Sequence, residues 1–365
     1  MPKEIDYQEQ LRRKRTRQLR ILLKDMPPAC SDFMLGIADT TSALTRLNYA
    51  RDLKLFFRYL ECETQEFGHI TTPDQWTNEQ LDRVTARHIE AYQEYLGYYL
   101  NDENEEFSNG ELGKMRKLST LRSFYKYLFK NNYVSSNVTL LVDLPKRHHK
   151  PILRMELDEL ARMLDLAASG DAFSSSHQKS YNRKTSLRDL TILTLFLGTG
   201  IRVSELVGLN LSDIDLDNEA FLVTRKGGHQ VILYFPQEVS DQLKTYLEQR
   251  QTIEALPGHE DALFLSLQRK RMGVRAVENM VKKYALQAAP LKTRLSPHKL
   301  RATYGTNLYR ETGDIYLVAD VLGHSDINTT RRHYADMSDE RRRMAAKKVV
   351  LRGDEVSDQD PVQEL

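Results

Sequence analysis

The sequence predicts a two-domain, mainly α-helical protein with one small β element. Three observations carry that prediction. The chain has 365 residues, room for about two domains at ~150 residues each. Apolar residues recur at helical spacing through most of the first half. Further on, two β-prone runs, Phe221-Leu222-Val223-Thr224 and Val231-Ile232-Leu233-Tyr234, flank a Gly227-Gly228 turn, the signature of a hairpin.

Residues 1–28 form a basic, polar segment closed by Pro27-Pro28. Residues 29–143 read as a helical domain of roughly four helices. Leu44, Leu47, Leu53, Phe56 and Leu60 fall near helical spacing, as do Ile89, Tyr92, Leu96 and Tyr99, and again Leu118, Leu121, Tyr125 and Leu128. The stretch 101–113 (NDENEEFSNGELG) between the last two sets has the composition of a loop. Residues 144–151 (LPKRHHKP) form a linker in which two prolines, each stiffening the chain, bracket five basic or His residues. Residues 152–352 make the second domain, mixed α/β but mostly helical. The acidic stretch 353–365 reads as a disordered tail.

Composition excludes several classes. Forty per cent hydrophobic residues are enough to fill real cores, so wholesale disorder is not expected. No run approaches the ~18 consecutive apolar residues of a membrane span, and the charged first twenty residues lack the apolar segment of a signal peptide. Two cysteines, Cys30 and Cys62, exclude a disulfide scaffold and a Cys-rich zinc module. These features point to a cytoplasmic protein. No GxxxxGK[ST], HExxH or GxSxG motif occurs, and no residue cluster calls for a cofactor or a metal. The net charge of +2 hides an asymmetry. The last thirteen residues hold Asp354, Glu355, Asp358, Asp360 and Glu364 and no Lys or Arg, so the remainder carries 53 bases against 46 acids. A basic body permits a polyanionic partner without requiring one.

Three segments of the second domain carry candidate chemistry. In Thr199-Gly200-Ile201-Arg202-Val203-Ser204-Glu205-Leu206, an apolar helix runs into a turn where Gly198 and Gly200 let the backbone bend. Arg202 projects from that turn, its planar fork suited to a phosphate, with Glu205 three residues on to orient it. In Ser296-Pro297-His298-Lys299-Leu300-Arg301, Ser then Pro marks a helix start, near which His298 and Arg301 lie three apart at the positive end of the helix dipole. In Val321-Leu322-Gly323-His324, Gly323 fits a helix stop, His324 follows it, and Tyr334 lies ten residues later. Taken singly, each reads as readily as a structural ion pair, a capped surface helix or an ordinary tyrosine among 18.

Their order changes the reading. Arg202, a hairpin-borne Lys226, His298-x-x-Arg301, His324 and Tyr334 follow one another within one domain. The stretches TGIRVSEL, RKGGHQ, SPHKLRATYGTNLY and LGHSDINTTRRHY resemble the tyrosine site-specific recombinases, or lambda-type integrases, with a Xer-like cast. The helical first domain is similar to that family's core-binding domain, so the resemblance spans roughly 30–350. Two positions depart from the family pattern. Ala302 stands where a histidine commonly follows the second arginine, and Ala335-Asp336 replaces the familiar Thr-His after the tyrosine.

The resemblance implies a catalytic set of Arg202, Lys226, His298, Arg301, His324 and Tyr334. Tyr334 would attack a scissile phosphate to give a 3′-phosphotyrosyl link and a free 5′-hydroxyl, with no ATP, metal or other cofactor. Arg202 and Arg301 would clamp the non-bridging oxygens, assisted by His298 and His324. Lys226 would protonate the leaving oxygen, a role for which neighbouring Arg225 is poorly suited because a guanidinium rarely gives up its proton. The resemblance further implies a double-stranded DNA partner bearing a specific recombination site. It implies a homotetramer on two paired sites passing through a Holliday junction, with an accessory protein left open, no membrane, and a place in the cytoplasm with the nucleoid. Lys114, Arg116 and Lys117 are candidate groove contacts, and Lys146 and Arg147 a strap along the backbone, the two domains forming a clamp. A helix over Ser338 to Leu351 would dock on a neighbouring protomer. The leading role is resolution of chromosome dimers. The alternatives are integration of a mobile element, a type IB topoisomerase, and a DNA-binding protein with a relic site.

Overall fold

The computed structural model describes residues 7–101, 104–145, 155–169, 176–225, 228–292 and 295–323. The chain divides into two compact units, residues 1–150 and 151–365.

The described part of the first unit is helical. It comprises α1 (Tyr7–Leu23), α2 (Pro28–Gly36), α3 (Ala43–Glu63), α4 (Asn78–Asp82), α5 (Ala86–Tyr95) and α6 (Glu111–Lys130). Local chemistry sets the starts. Pro28 opens α2 in its first turn, and the Ser42 hydroxyl accepts the Thr45 N–H at 3.1 Å to cap α3. The helices close over Phe33, Phe56, Phe57, Trp76, Tyr92 and Phe124, all buried, with ring pairs such as Phe57–Trp76 packed edge-on at 4.9 Å.

Two features differ from the expectation. Most of the basic segment 1–28 is the helix α1, packed on α3, with Leu19 in the core and Leu22 and Leu23 against it. Apart from the exposed Ile21, its few apolar residues lie on one face among many cations, so composition masks an amphipathic helix. Within the loop stretch, β2 (Glu106–Phe107) pairs antiparallel with β1 (Tyr99–Leu100).

The second unit is built around α8 (Ser176–Thr199), which packs against α7 (Leu157–Ser169), α10 (Gln237–Gln251) and α12 (Pro297–Thr312). Ile192, Leu193, Leu195 and Phe196 of α8 are fully buried, which explains the unbroken apolar run there. The short α9 (Val203–Leu206), α11 (Val274–Ala288) and α13 (Ile315–Leu322) complete its described helices. The hairpin is present as β4 (Ala220–Thr224) and β5 (Gln230–Tyr234), with Phe221 opposite Leu233 and Leu222 opposite Ile232. A further strand, β3 (Ile214–Asp215), extends it to an antiparallel sheet of order β3-β4-β5. Two residues are too short a run for periodicity to reveal.

Helix α8 itself carries a buried polar network. Arg188 donates from Nε and Nη2 to Asp189 Oδ1 at 3.0 and 2.7 Å and from Nη1 to the Leu265 carbonyl at 2.8 Å. Tyr284 Oη lies 3.1 Å from Asp189 Oδ2. Pairing and hydrogen bonding make this burial of charge tolerable.

Candidate functional site

The turn after α8 is shaped by Gly200. Its φ of +62° is left-handed, and a Cβ there would collide with the Tyr304 ring and press on Leu322. Arg202 follows at the N-cap of α9. Glu205, itself buried, reaches back twice: Oε2 accepts the Arg202 backbone N–H at 3.0 Å and Oε1 accepts Nη1 at 2.7 Å. The orienting role expected of Glu205 is thus visible in the geometry.

Helix α13 begins at Asp314, whose carboxylate accepts the N–H groups of Tyr316 and Leu317, and ends at Gly323 with φ +57°. Its last carbonyls form the meeting point of the site. Arg202 Nη2 donates to Leu322 O at 3.1 Å and to Gly323 O at 2.8 Å. Arg301, buried at 5% exposure on the first turns of α12, donates to the Leu322 carbonyl and to the Gly200 carbonyl. A third guanidinium joins them: Arg225, at the end of β4, donates from Nη2 to Val321 O at 2.9 Å. A Cβ on Gly323 would strike that guanidinium.

The carbonyl end of a helix carries partial negative charge, so it is a natural resting place for three cations. The same donors suit an anion with several oxygens, such as a phosphate. Glu205 is paired with one of these arginines, Arg202.

The structure therefore brings together Arg202 and Arg301, which lie 99 residues apart in the sequence. His298 is exposed at the second position of α12, whereas Arg301 is buried, so the pair expected on one helix face differs in exposure. Ser296 stands at the N-cap with extended backbone but without a side-chain cap bond. Lys226, His324, Tyr334, Lys146, Arg147 and the segment 338–351 lie outside the described residues.

In the first unit, Arg116 donates bidentately to Asp52 at 2.5 and 2.6 Å, Thr120 Oγ1 donates to it at 3.0 Å, and Lys117 Nζ lies 3.6 Å away. Lys117 is buried, and desolvation holds its ammonium below the usual lysine range. Its charge is thus directed into the bundle, while Lys114 is half-exposed and Arg116 exposed at the start of α6. Asp52 is invisible as a partner in the sequence because it sits 64 residues from Arg116. Arg225 is the functional-site residue that sequence reasoning set aside. Its one signal was adjacency to Lys226 on the hairpin.

Among the described residues no group of three His, Cys, Asp or Glu is placed to hold a metal ion, and no helix is long and apolar enough to cross a membrane.

A helical unit, a second unit with a three-stranded sheet, and paired arginines at a helix end define a class that comparison makes explicit. The phage integrase family profile matches residues 154–341. The tyrosine recombinase XerC of Caldanaerobacter subterraneus is 32% identical over 330 residues, covering 88% of this chain and 86% of that one. XerD of Staphylococcus saprophyticus is 31% identical, covering 78% and 84%. In fold, the chain is similar to the XerH site-specific recombinase bound to palindromic difH substrate (TM-score 0.59, 20% identity, 85% and 81% covered). It is equally similar to the Tn1549 transposon integrase in complex with a circular intermediate DNA (TM-score 0.60, 17% identity, 87% and 99% covered). The chain belongs to the phage integrase family, whose members are tyrosine recombinases. Within it the chain is Xer-like, as the XerC and XerD identities over most of its length show.

Proposed function

We propose that this site-specific tyrosine recombinase cuts and rejoins duplex DNA through a phosphotyrosyl intermediate, in the manner of a Xer resolver of chromosome dimers. The observation that carries the site reading is the convergence of Arg202 and Arg301 on the single carbonyl of Leu322. Two guanidiniums that share one acceptor can share the oxygens of one phosphate. In the attacked phosphodiester, charge builds on the non-bridging oxygens, and donors already gathered there stabilise it without reorganising.

Tyr334 Oη attacks phosphorus as His298 assists removal of its proton, the P–O5′ bond breaks, and the 3′-phosphotyrosyl ester retains the bond energy for religation. Lys226 delivers a proton to the departing 5′-oxygen, and His298 and His324 hydrogen-bond the phosphate. No step consumes ATP. Recombination proceeds with two protomers on each of two paired sites. The segment 338–351 docks on a neighbouring protomer, so deletion of 337–365 is expected to abolish cooperative assembly while single-site binding persists. The setting is the cytoplasm, with the nucleoid as the location of the substrate. Chromosome-dimer resolution is favoured by the XerC and XerD identities; the fold likeness is as great to a transposon integrase and does not discriminate.

Covalent capture tests the reading. Nicked fragments of the source genome are incubated with the wild type and with Tyr334→Phe, denatured, and sequenced from any protein-linked end. A denaturation-resistant adduct present only with the wild type, with its cut at the replication terminus, is the expected result. An adduct that survives in Tyr334→Phe overturns the nucleophile, and a cut at the end of a mobile element overturns the biological role.

A further inference from the structure

The outward face of α1 is the strongest charged surface that the cleavage reading leaves unused. The helix is held by its inner face, where Leu19 is buried and Leu22 and Leu23 pack against the first unit's core. Its outward face is therefore presented in a fixed orientation instead of trailing as a charged tail. Arg13, Arg17 and Arg20 recur at intervals of four and three residues, and Lys24 follows four further on in the turn after the helix. Those positions form one stripe, with Lys14 beside it, and all five residues are exposed.

Beyond Arg13, the stripe is uncompensated. Glu9 is the one acidic residue of α1, and Arg12 and Arg13 occupy both of its oxygens at 2.6 to 3.0 Å. Among the described residues no carboxylate pairs with Lys14, Arg17, Arg20 or Lys24. Like charges at three- and four-residue spacing on a helix repel one another, so this arrangement is unfavourable until an anion is near.

From Arg13 to Lys24 the stripe runs about 16 Å at ~1.5 Å per residue. One DNA strand presents a phosphate about every 3.4 Å along its axis, so a span of that length faces several of them. An isolated small anion would meet one or two of these cations; a duplex backbone meets the whole row.

We propose that the outward face of α1 is a phosphate-backbone contact for duplex DNA, separate from the cleavage site and indifferent to base sequence. The inference rests on the recombinase reading for its choice of partner. Guanidinium and ammonium groups on an exposed helix face act through charge, and base edges are not needed. The contact adds affinity and salt dependence, while specificity stays with other elements.

The test is a salt titration of binding to a duplex of arbitrary sequence, using the full chain. The variant carries Lys14→Gln, Arg17→Gln, Arg20→Gln and Lys24→Gln together. Glutamine is a good helix former, and circular dichroism with a matched thermal midpoint verifies that α1 persists. If the four-fold variant is misfolded, the two double variants Lys14→Gln/Arg17→Gln and Arg20→Gln/Lys24→Gln replace it. Each phosphate contact contributes about 0.9 to the slope of log affinity against log salt, so loss of four shallows the slope by up to about 3.6. The expected result is a slope shallower by about two or more, with a matching fall in affinity at low salt. An unchanged slope overturns the proposal. Tighter binding by the variant also overturns it, and assigns the stripe to the chain's own acidic residues 353–365. A wild type that shows no salt-dependent duplex binding at all defeats the recombinase reading along with it.

Discussion

Arg202 and Arg301 meet at the Leu322 carbonyl, while Lys226 is set apart from them by its chemistry: an ammonium transfers a proton and a guanidinium holds a charge. That division yields a prediction. On ordinary DNA, Lys226→Ala lowers single-turnover cleavage by about 10²–10⁴-fold, the usual contribution of a general acid. A substrate with sulfur in place of the bridging 5′-oxygen leaves without needing a proton, so it restores cleavage in Lys226→Ala and does not restore it in Arg202→Ala. Equal rescue of both variants would sink the assignment. Gly323 gives a second prediction at this scale. Alanine there must hold a left-handed φ, at a cost of about 1 kcal/mol, and its methyl displaces the Arg225 guanidinium from Val321. Gly323→Ala is expected to lose cleavage rate out of proportion to its small loss of stability, compared by single-turnover kinetics and thermal unfolding.

At the scale of the element, α3 and α6 are joined by one carboxylate. Asp52 is buried and receives Arg116, Thr120 and Lys117 from α6. Asp52→Asn removes the charge and leaves the buried Lys117 ammonium without compensation. The expected cost to the first unit is about 2 kcal/mol, read from urea unfolding. Arg116→Gln costs well under 1 kcal/mol, because the Arg116 side chain is half exposed and its pairing is screened. If Arg116→Gln proves the more damaging of the two, the guanidinium and not the buried lysine is the group that Asp52 serves. The consequence for function is that α6 enters the bundle with its basic start already partly neutralised, leaving Lys114 as the more available cation there.

For the whole molecule, four buried tyrosines set the alkaline limit. Burial raises Tyr92, Tyr125 and Tyr284 well above the normal tyrosine range and pushes Tyr246 up to about 12. Unfolded tyrosines ionise near pH 10. Between that value and the folded pKa the unfolded chain binds fewer protons than the native one, so stability falls as pH rises. Each such group removes up to about 1.4 kcal/mol per pH unit. Lys117 and Lys283 act in the opposite sense, since their lowered pKa values add stability as pH rises towards 10.5, but they are two groups against four. Both units, which hold two of these tyrosines each, are expected to lose thermal stability steeply above about pH 10. A midpoint that is flat from pH 9 to 11.5 would show that these hydroxyls are not shielded in solution.

Much of this was legible in residue order alone. The apolar run before Gly200, the hairpin around Gly227-Gly228 and the Gly323 helix stop are local patterns, because a turn or a cap depends on residues a few positions apart; the order Arg202, Lys226, His298, Arg301, His324, Tyr334 is what carried the family resemblance. The helicity of α1 was missed because cations outnumber the leucines that seat it, and β3 because two residues show no period. Tertiary structure decided what local pattern cannot reach. It put Arg202 and Arg301 on one carbonyl, drew Arg225 in beside them, and turned Lys117 inward to an aspartate on another helix. Each of these outcomes depends on which distant group shares a buried, weakly screened space, where the strength of an electrostatic contact is set by packing instead of by sequence separation.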